Sequence, residues 1–300
     1  MPSYDLDYGD DANPHPSNDL QLTVTPVLDA IPLGAPVRVE LLLKHGDASG
    51  DEVLVPADIG LSGAHVRGEV FGPYPDGKSR SFRPLLIPGD GGNLQKLPLN
   101  SSVEGALTLL RGGEGALFPK PGKYEIQVAL RWHDGKTPWI VVGKASVMVN
   151  PARSKADESA AESVRDARDL LLTLVIGGDH LCEGIAAIQT AMKNRTLRPH
   201  YAGIEAKRRA ALPSAGLRQL TAAALLIDVR TVLSQQEREK VEHMFETRLT
   251  RLQEWRLGRC LREHKPLTVM GQAMNQMFDA LLRSLIVIGQ WMVGRWAFRS

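Results

Sequence analysis

Histidine and cysteine lie close together at two places in this 300-residue sequence, His180-Leu181-Cys182 and Cys260-Leu261-Arg262-Glu263-His264. Cys260 and His264, four apart, would share one face of a helix and could together face a zinc ion. Only one residue separates the first pair, which falls near an expected helix start, and the combined spacing matches no standard zinc pattern. Buried free cysteine is common, so ordinary packing outweighs a metal site. Asp179-His180 has the residue types of an acid/base dyad, yet helix neighbours in sequence do not face each other. No nucleophile, oxyanion site or G-x-S-x-G, H-E-x-x-H or G-x-G-x-x-G pattern accompanies it. No catalytic residue, metal or cofactor is therefore assigned, and the chain leans away from being an enzyme.

Gly72-Pro73-Tyr74-Pro75-Asp76-Gly77-Lys78-Ser79 satisfies the letter of the phosphate-loop pattern G-x-x-x-x-G-K-[ST]. That chemistry needs backbone N–H groups aimed at phosphates and a helix starting at the Lys. Pro73 and Pro75 lack the N–H, and Pro84 follows where the helix should be under way. A β-hairpin turn at Pro75–Lys78 is the expectation instead.

These residues must be positioned by a chain of ordinary globular composition, with 43% hydrophobic and 23% charged residues. Its length suits two domains. The formal net charge of +2 does not mark a nucleic-acid binder. Two cysteines exclude a disulfide-stapled scaffold. The opening residues show no signal-peptide pattern, and with two separated thiols this favours the cytoplasm. Residues 1–19 carry Asp5, Asp7, Asp10, Asp11 and Asp19 against no Lys or Arg, and read as a disordered acidic tail. Residues 20–150 are neutral, whereas 151–300 hold 23 basic and 16 acidic side chains.

From Leu20 to about Asn150 the apolar period is two. Leu20, Leu22 and Val24 alternate, as do Val37, Val39, Leu41 and Leu43, then Tyr124, Ile126, Val128 and Leu130, and finally Ala145, Val147 and Val149. Val66 and Val70 share a face of another run. Alternation buries one face of a strand and leaves the other wet. Short runs separated by turns such as PDGK and HDGK predict an antiparallel β-sandwich.

Two stretches carry a resemblance. Pro121-Gly122-Lys123-Tyr124-Glu125-Ile126-Gln127-Val128-Ala129-Leu130 resembles the penultimate strand of immunoglobulin-like and fibronectin type III-like sandwiches. Leu33-Gly34-Ala35-Pro36-Val37-Arg38-Val39 resembles the entry to an early strand of bacterial sandwich domains. The resemblance covers residues 20–150. It implies a tyrosine corner, in which the Tyr124 hydroxyl bonds back to the backbone, and gives a mild lean towards binding. No cysteine pair lies in this half, so antibody-type domains are not implied.

Residues 151–163 are polar, small and broken by Pro151, and read as a linker. An α-helical bundle domain is expected over 164–300. Val164, Ala167, Leu171, Leu174 and Val175 recur at threes and fours up to Gly177-Gly178, and a second helix is expected from near Leu181 to Met192. Lys193, Arg195, Arg198, Lys207, Arg208 and Arg209 form a basic cluster with Tyr201 as its lone aromatic, which does not make a nucleic-acid stacking platform. Ser234-Gln235-Gln236-Glu237 fits a capping box. The helix it opens ends in Arg256, Arg259, Arg262 and Lys265 before Pro266, where cations offset the helix dipole or face an anionic partner. The last helix, from near Thr268, carries Met270, Met274 and Met277 at helical spacing and Trp291 and Trp296 towards its end. Its uncharged stretch is too short to span a membrane, although it suits a membrane interface. Met-rich faces also suit adaptable protein grooves.

The function expected is that of a cytoplasmic, non-enzymatic interaction or assembly protein, an adaptor with a sandwich module and a helical module. Its partner surface is placed at Arg256, Arg259, Arg262, Met270, Met274, Met277, Trp291 and Trp296, for an unknown protein or for self-association. The alternatives are peripheral membrane attachment through the C-terminal amphipathic helix, or an enzyme whose site is dispersed in sequence.

Overall fold

The computed structural model describes residues 15–16, 19–46, 52–60, 65–83, 93–134, 137–175 and 181–211, with 223, 226–227, 230–241 and 243. The chain divides into two compact units, Met1–His200 with Leu233–Glu237, and Tyr201–Val232 with Arg238–Ser300. In the first, every described strand ends by Asn150 and every described helix begins at or after Lys155, so the class is mixed, strands first and helices later.

The strands are β1 (His15–Pro16), β2 (Leu20–Pro26), β3 (Ala30–Pro32), β4 (Val37–His45), β5 (Val53–Pro56), β6 (Val66–Phe71), β7 (Arg80–Phe82), β8 (Leu94–Leu97), β9 (Ser102–Leu109), β10 (Arg111–Gly112), β11 (Gly115–Ala116), β12 (Gly122–His133) and β13 (Pro138–Asn150). One sheet has the order β1-β13-β12-β6-β7, with β3 also on β13, and a second has the order β2-β4-β9. The short strands β1 and β3 run parallel to β13 and cover its two ends, at Trp139–Ile140 and Met148–Asn150. Thus His15 and Pro16, within the stretch expected to be a disordered tail, are paired backbone.

Burial follows the alternation. Val37, Val39, Leu41 and Leu43 are buried, as are Tyr124, Ile126, Val128 and Leu130 and the alternate residues Val141, Ala145, Val147 and Val149. Gly143 takes the remaining inward place of β13. A Cβ there would lie 2.6 Å from the Leu22 carbonyl oxygen, so only glycine lets β2 pass this close. Tyr124 donates its hydroxyl to the Lys120 carbonyl at 2.7 Å, which pins the entry of β12. Its ring meets Phe118 edge-on, with centroids 5.2 Å apart. Between β6 and β7 the chain turns at Pro75–Lys78, with the Gly77 N–H on the Tyr74 carbonyl and φ of +66° at Gly77. A strand follows Lys78 where a phosphate loop would need a helix.

The helices depart from expectation at their start. Helix α1 (Lys155–Asp166) occupies most of the stretch read as a linker over 151–163. Ser154 caps it, accepting from the Asp157 N–H at 3.1 Å, and Asp157 and Glu158 complement its positive end. Its buried stripe is Ala160, Ala161 and Val164, small side chains that simple hydropathy overlooks. The expected continuous helix through Val175 is split: Ala167 is extended and α2 spans Leu170–Val175. Helix α3 (Cys182–Lys193) matches its expected span within a residue, and α4 (Arg198–Ala211) follows the turn after Asn194, its residues from Tyr201 onward lying in the second unit.

The close approach of α1 to the β3–β4 turn depends on Gly34. Its φ is +85°, and an added Cβ would lie 2.7 Å from the Ala161 Cα. Gly34→Ala combines left-handed strain with overpacking and should lower stability by about 2 kcal/mol. Chemical denaturation of the two proteins checks this; equal midpoints would remove Gly34 from the packing account.

Candidate functional site

The expected alternation of β4 directs Arg38 away from Val37 and Val39, towards water. The structure instead buries it to 3% exposure. Thr108 of β9 is its cross-strand partner, and Glu40 lies two residues along. The residues that cover Arg38 come from far along the chain. Its Nη2 donates to the His200 carbonyl at 2.8 Å, and its Nε pairs by charge with Glu237 Oε2 at 3.0 Å.

Glu237 is the last residue of the Ser234–Glu237 capping box. The box forms as expected: the Glu237 N–H donates to Ser234 Oγ at 3.1 Å, and the Ser234 N–H donates to Glu237 Oε2 at 3.0 Å. The same carboxylate accepts the Thr108 hydroxyl at 2.6 Å. Next to it, the Gln235 N–H donates to Glu40 Oε1 at 3.0 Å. A helix N-terminus is thus seated on the outward side of β4 and β9 by charge and hydrogen bonds. Burial alone would raise the Glu237 pKa, but Arg38, Thr108 and Ser234 outweigh it and hold the carboxyl below its usual range. Arg38 Nη1 is buried with no hydrogen-bond partner among the described residues.

His200, whose carbonyl receives Arg38, is 6% exposed, and its Nδ1 is also buried without a partner among the described residues. Burial first, and the Arg38 charge second, push its imidazole down to about 4, so it is neutral at pH 7. His200 lines a cleft of about 520 Å³, bounded also by Arg153, Asp157, Arg195 and Thr196. Ala30, Pro32 and Leu33 from β3 and the turn after it also line it, as does Asn150 at the end of β13. Arg153 just precedes the Ser154 cap of α1 and Asp157 lies in its first turn, whereas Arg195 and Thr196 come from the turn between α3 and α4.

Asn194 holds these walls together. Its Nδ2 donates to Asp157 Oδ1 at 2.8 Å, while its Oδ1 accepts the Thr196 and Leu197 N–H groups at 2.9 Å each. The Asn194 bond, followed by burial acting the other way and by the Ser154 bond, leaves the Asp157 carboxyl below its usual pKa. Arg153 and Arg195 are exposed and make no ion pair among the described residues. The cleft can hold a polar, negatively charged group. The Thr196 side chain also bonds the Asp157 carboxylate within it.

Of the residues singled out in sequence, Cys182 is an exposed thiol at the start of α3. Asp179, His180, Cys260 and His264 lie outside the described residues, and among those described no group of His, Cys, Asp and Glu could hold a metal. The expected partner surface, Arg256, Arg259, Arg262, Met270, Met274, Met277, Trp291 and Trp296, also lies outside them. No described helix is long and apolar enough to cross a membrane. The basic cluster divides: Arg208 and Arg209 are tied to the buried Glu205 at 2.8 and 2.6 Å, whereas Lys193, Arg195, Arg198 and Lys207 stay exposed. Tyr201 is fully buried and cannot stack on a base. Sequence reasoning missed Arg38 and His200 as members of a site; only the sheet register and the returning chain bring them together.

No family model matches the chain, and no curated protein matches it. Among the solved structures that show partial likeness are two. One is the Pseudomonas fluorescens alkylpurine DNA glycosylase AlkC bound to DNA containing an abasic site analog, at 11% identity and a TM-score of 0.26, covering 44% of this chain and 30% of that one. The other is Spo0M, a sporulation control protein from Bacillus subtilis, at 9% identity and a TM-score of 0.28, covering 49% of this chain and 55% of that one. The chain therefore spans less than two thirds of the length of either. Likeness at this level assigns neither a fold family nor an activity.

Proposed function

We propose that this chain is a cytoplasmic, non-enzymatic interaction or assembly protein, built from an immunoglobulin-like sandwich over 20–150 and a helical bundle module beyond it. The observation that carries the reading is the seating of the Ser234–Glu237 segment on β4 and β9. There the outward face of β4 and β9 serves as a platform for a helix start, through Arg38, Glu40 and Thr108. The Tyr124–Lys120 bond has the form of a tyrosine corner and supports the sandwich assignment. The outward face of the other sheet offers Phe71, Val142 and Met148, each about two-fifths exposed, interspersed with the Lys144–Glu125 ion pair. Isolated apolar side chains are ordinary on a surface, but a sheet face mixing them with paired charges suits a protein partner.

In this reading the Met-bearing C-terminal stretch supplies the second contact. Removing residues 267–300 should abolish partner capture from the native host, or self-association measured by light scattering, while the truncated chain still unfolds cooperatively. A truncated chain that captures the same partners and keeps the same mass would overturn it.

A further inference from the structure

We propose that the acidic segment ahead of β1, residues 1–14, folds back onto the outward face of the β1-β13-β12-β6-β7 sheet, where its aspartates meet Arg67 and Arg131. The inference holds whether or not a partner ever uses that face.

The sheet register places the two arginines together. Arg131 of β12 is opposite Ile140 of β13, and Ala129, two residues before it, is opposite Arg67 of β6. Leu130 and Val66, which alternate with them, are buried, so both arginines lie on the outward side. They are diagonal neighbours on adjacent strands, close enough for long side chains to share one acidic group. Neither makes an ion pair among the described residues, whereas Lys144 on the same face is matched by Glu125. Glu69, the next outward residue of β6, accepts the Ser79 hydroxyl. No described element lies over this face: Glu69, Phe71, Arg131, Val142, Lys144 and Met148 are all exposed.

The position of β1 decides the occupant. It runs parallel to β13, with His15 opposite Trp139 and Pro16 opposite Ile140. The chain before His15 therefore leaves at the Pro138 end of β13, the end at which β12 carries Arg131. With neighbouring strands about 4.8 Å apart, Arg131 lies about 10 Å from β1 across the sheet and Arg67 about 14 Å. The segment itself, which lies outside the described residues, holds Asp5, Asp7, Asp10 and Asp11 and no Lys or Arg. At about 3.4 Å per extended residue, Asp10 and Asp11 reach Arg131, and Asp5 and Asp7 have length to spare for Arg67. Exposed ion pairs are individually weak, but the tether at β1 keeps the aspartates at high local concentration.

The test is chymotryptic cleavage after Tyr8 in the full chain at low ionic strength, timed by mass spectrometry. A synthetic peptide of residues 1–18 gives the rate for an undocked segment, and each tail variant has its own peptide. Cleavage of the parent chain should be about fivefold slower than of the peptide, and unchanged on diluting the chain about tenfold. Arg131→Glu and Arg67→Glu should each bring the rate close to that of the peptide. Adding Asp10→Lys and Asp11→Lys to the Arg131→Glu chain should restore protection. Lys155→Glu, an equal charge reversal on α1, should change nothing. Cleavage of the parent at the peptide's rate, protection lost on dilution, or protection that survives both arginine reversals would overturn the proposal.

Discussion

Glu237→Ala should lower the unfolding free energy of the first unit by about 3–5 kcal/mol, more than Arg38→Met at its partner. The asymmetry follows from exposure. The Arg38 side chain is 1% exposed and Glu237 26%. Removing the carboxylate leaves a guanidinium sealed from water with one hydrogen bond, to the His200 carbonyl, and nothing to balance its charge. Removing the guanidinium instead, as in Arg38→Met, leaves a carboxylate that water reaches and that Ser234 and Thr108 still satisfy. Replacing both, in Arg38→Met with Glu237→Leu, should recover much of the loss, because a buried pair is often no better than well-packed apolar side chains. Urea denaturation of the three variants measures this. A Glu237→Ala protein no less stable than Arg38→Met would show that Arg38 is not sealed in solution.

The second large effect is on acidification. His200 falls from an ordinary value of 6.5 to about 4 in the folded protein. Between those values the unfolded chain binds the proton and the folded chain does not, so stability rises with pH across that window. It is fully present above pH 6.5 and declines as pH falls, reaching a loss of about 3 kcal/mol near pH 4. Carboxylates such as Glu237 act in the same direction but lower down. Their folded pKa lies below the unfolded one, so their contribution is lost as pH drops from the ordinary carboxylate range through the folded value. Comparing the parent chain with His200→Gln between pH 7 and pH 5 separates the two sources. The variant should show a markedly flatter decline, whereas parallel profiles would mean that His200 protonates freely in the folded state.

The strands were legible because β4, β12 and β13 each bury one face, which imposes a period of two on the residues themselves. The capping box was legible for the same kind of reason, since Ser234 and Glu237 satisfy each other within one turn. What failed to show was the burial of Arg38. Its place in the alternation points it at water, and what covers it is a backbone carbonyl at His200 and a carboxylate from the returning chain. No local pattern records such a meeting. Helix α1 was misread because alanines form its buried stripe, and a chain of Ala, Ser and Glu has the composition of a linker until something packs against it. The cleft was invisible for a third reason: Arg153 and Arg195 carry no spacing signal, and only the folded chain brings the segments that bear them to one cleft.

The short strands on β13 limit how copies of this chain can meet. Pro16 and Pro32 stand opposite Ile140 and Asn150 in the two parallel pairings, and neither has an amide hydrogen to pass the ladder outward. A further strand laid beside either flap would find part of its carbonyls without donors. Lateral growth of this sheet, the ordinary route to fibrous stacking, is therefore discouraged at both ends of β13. The other edge of the sheet, β7, carries no such flap among the described residues.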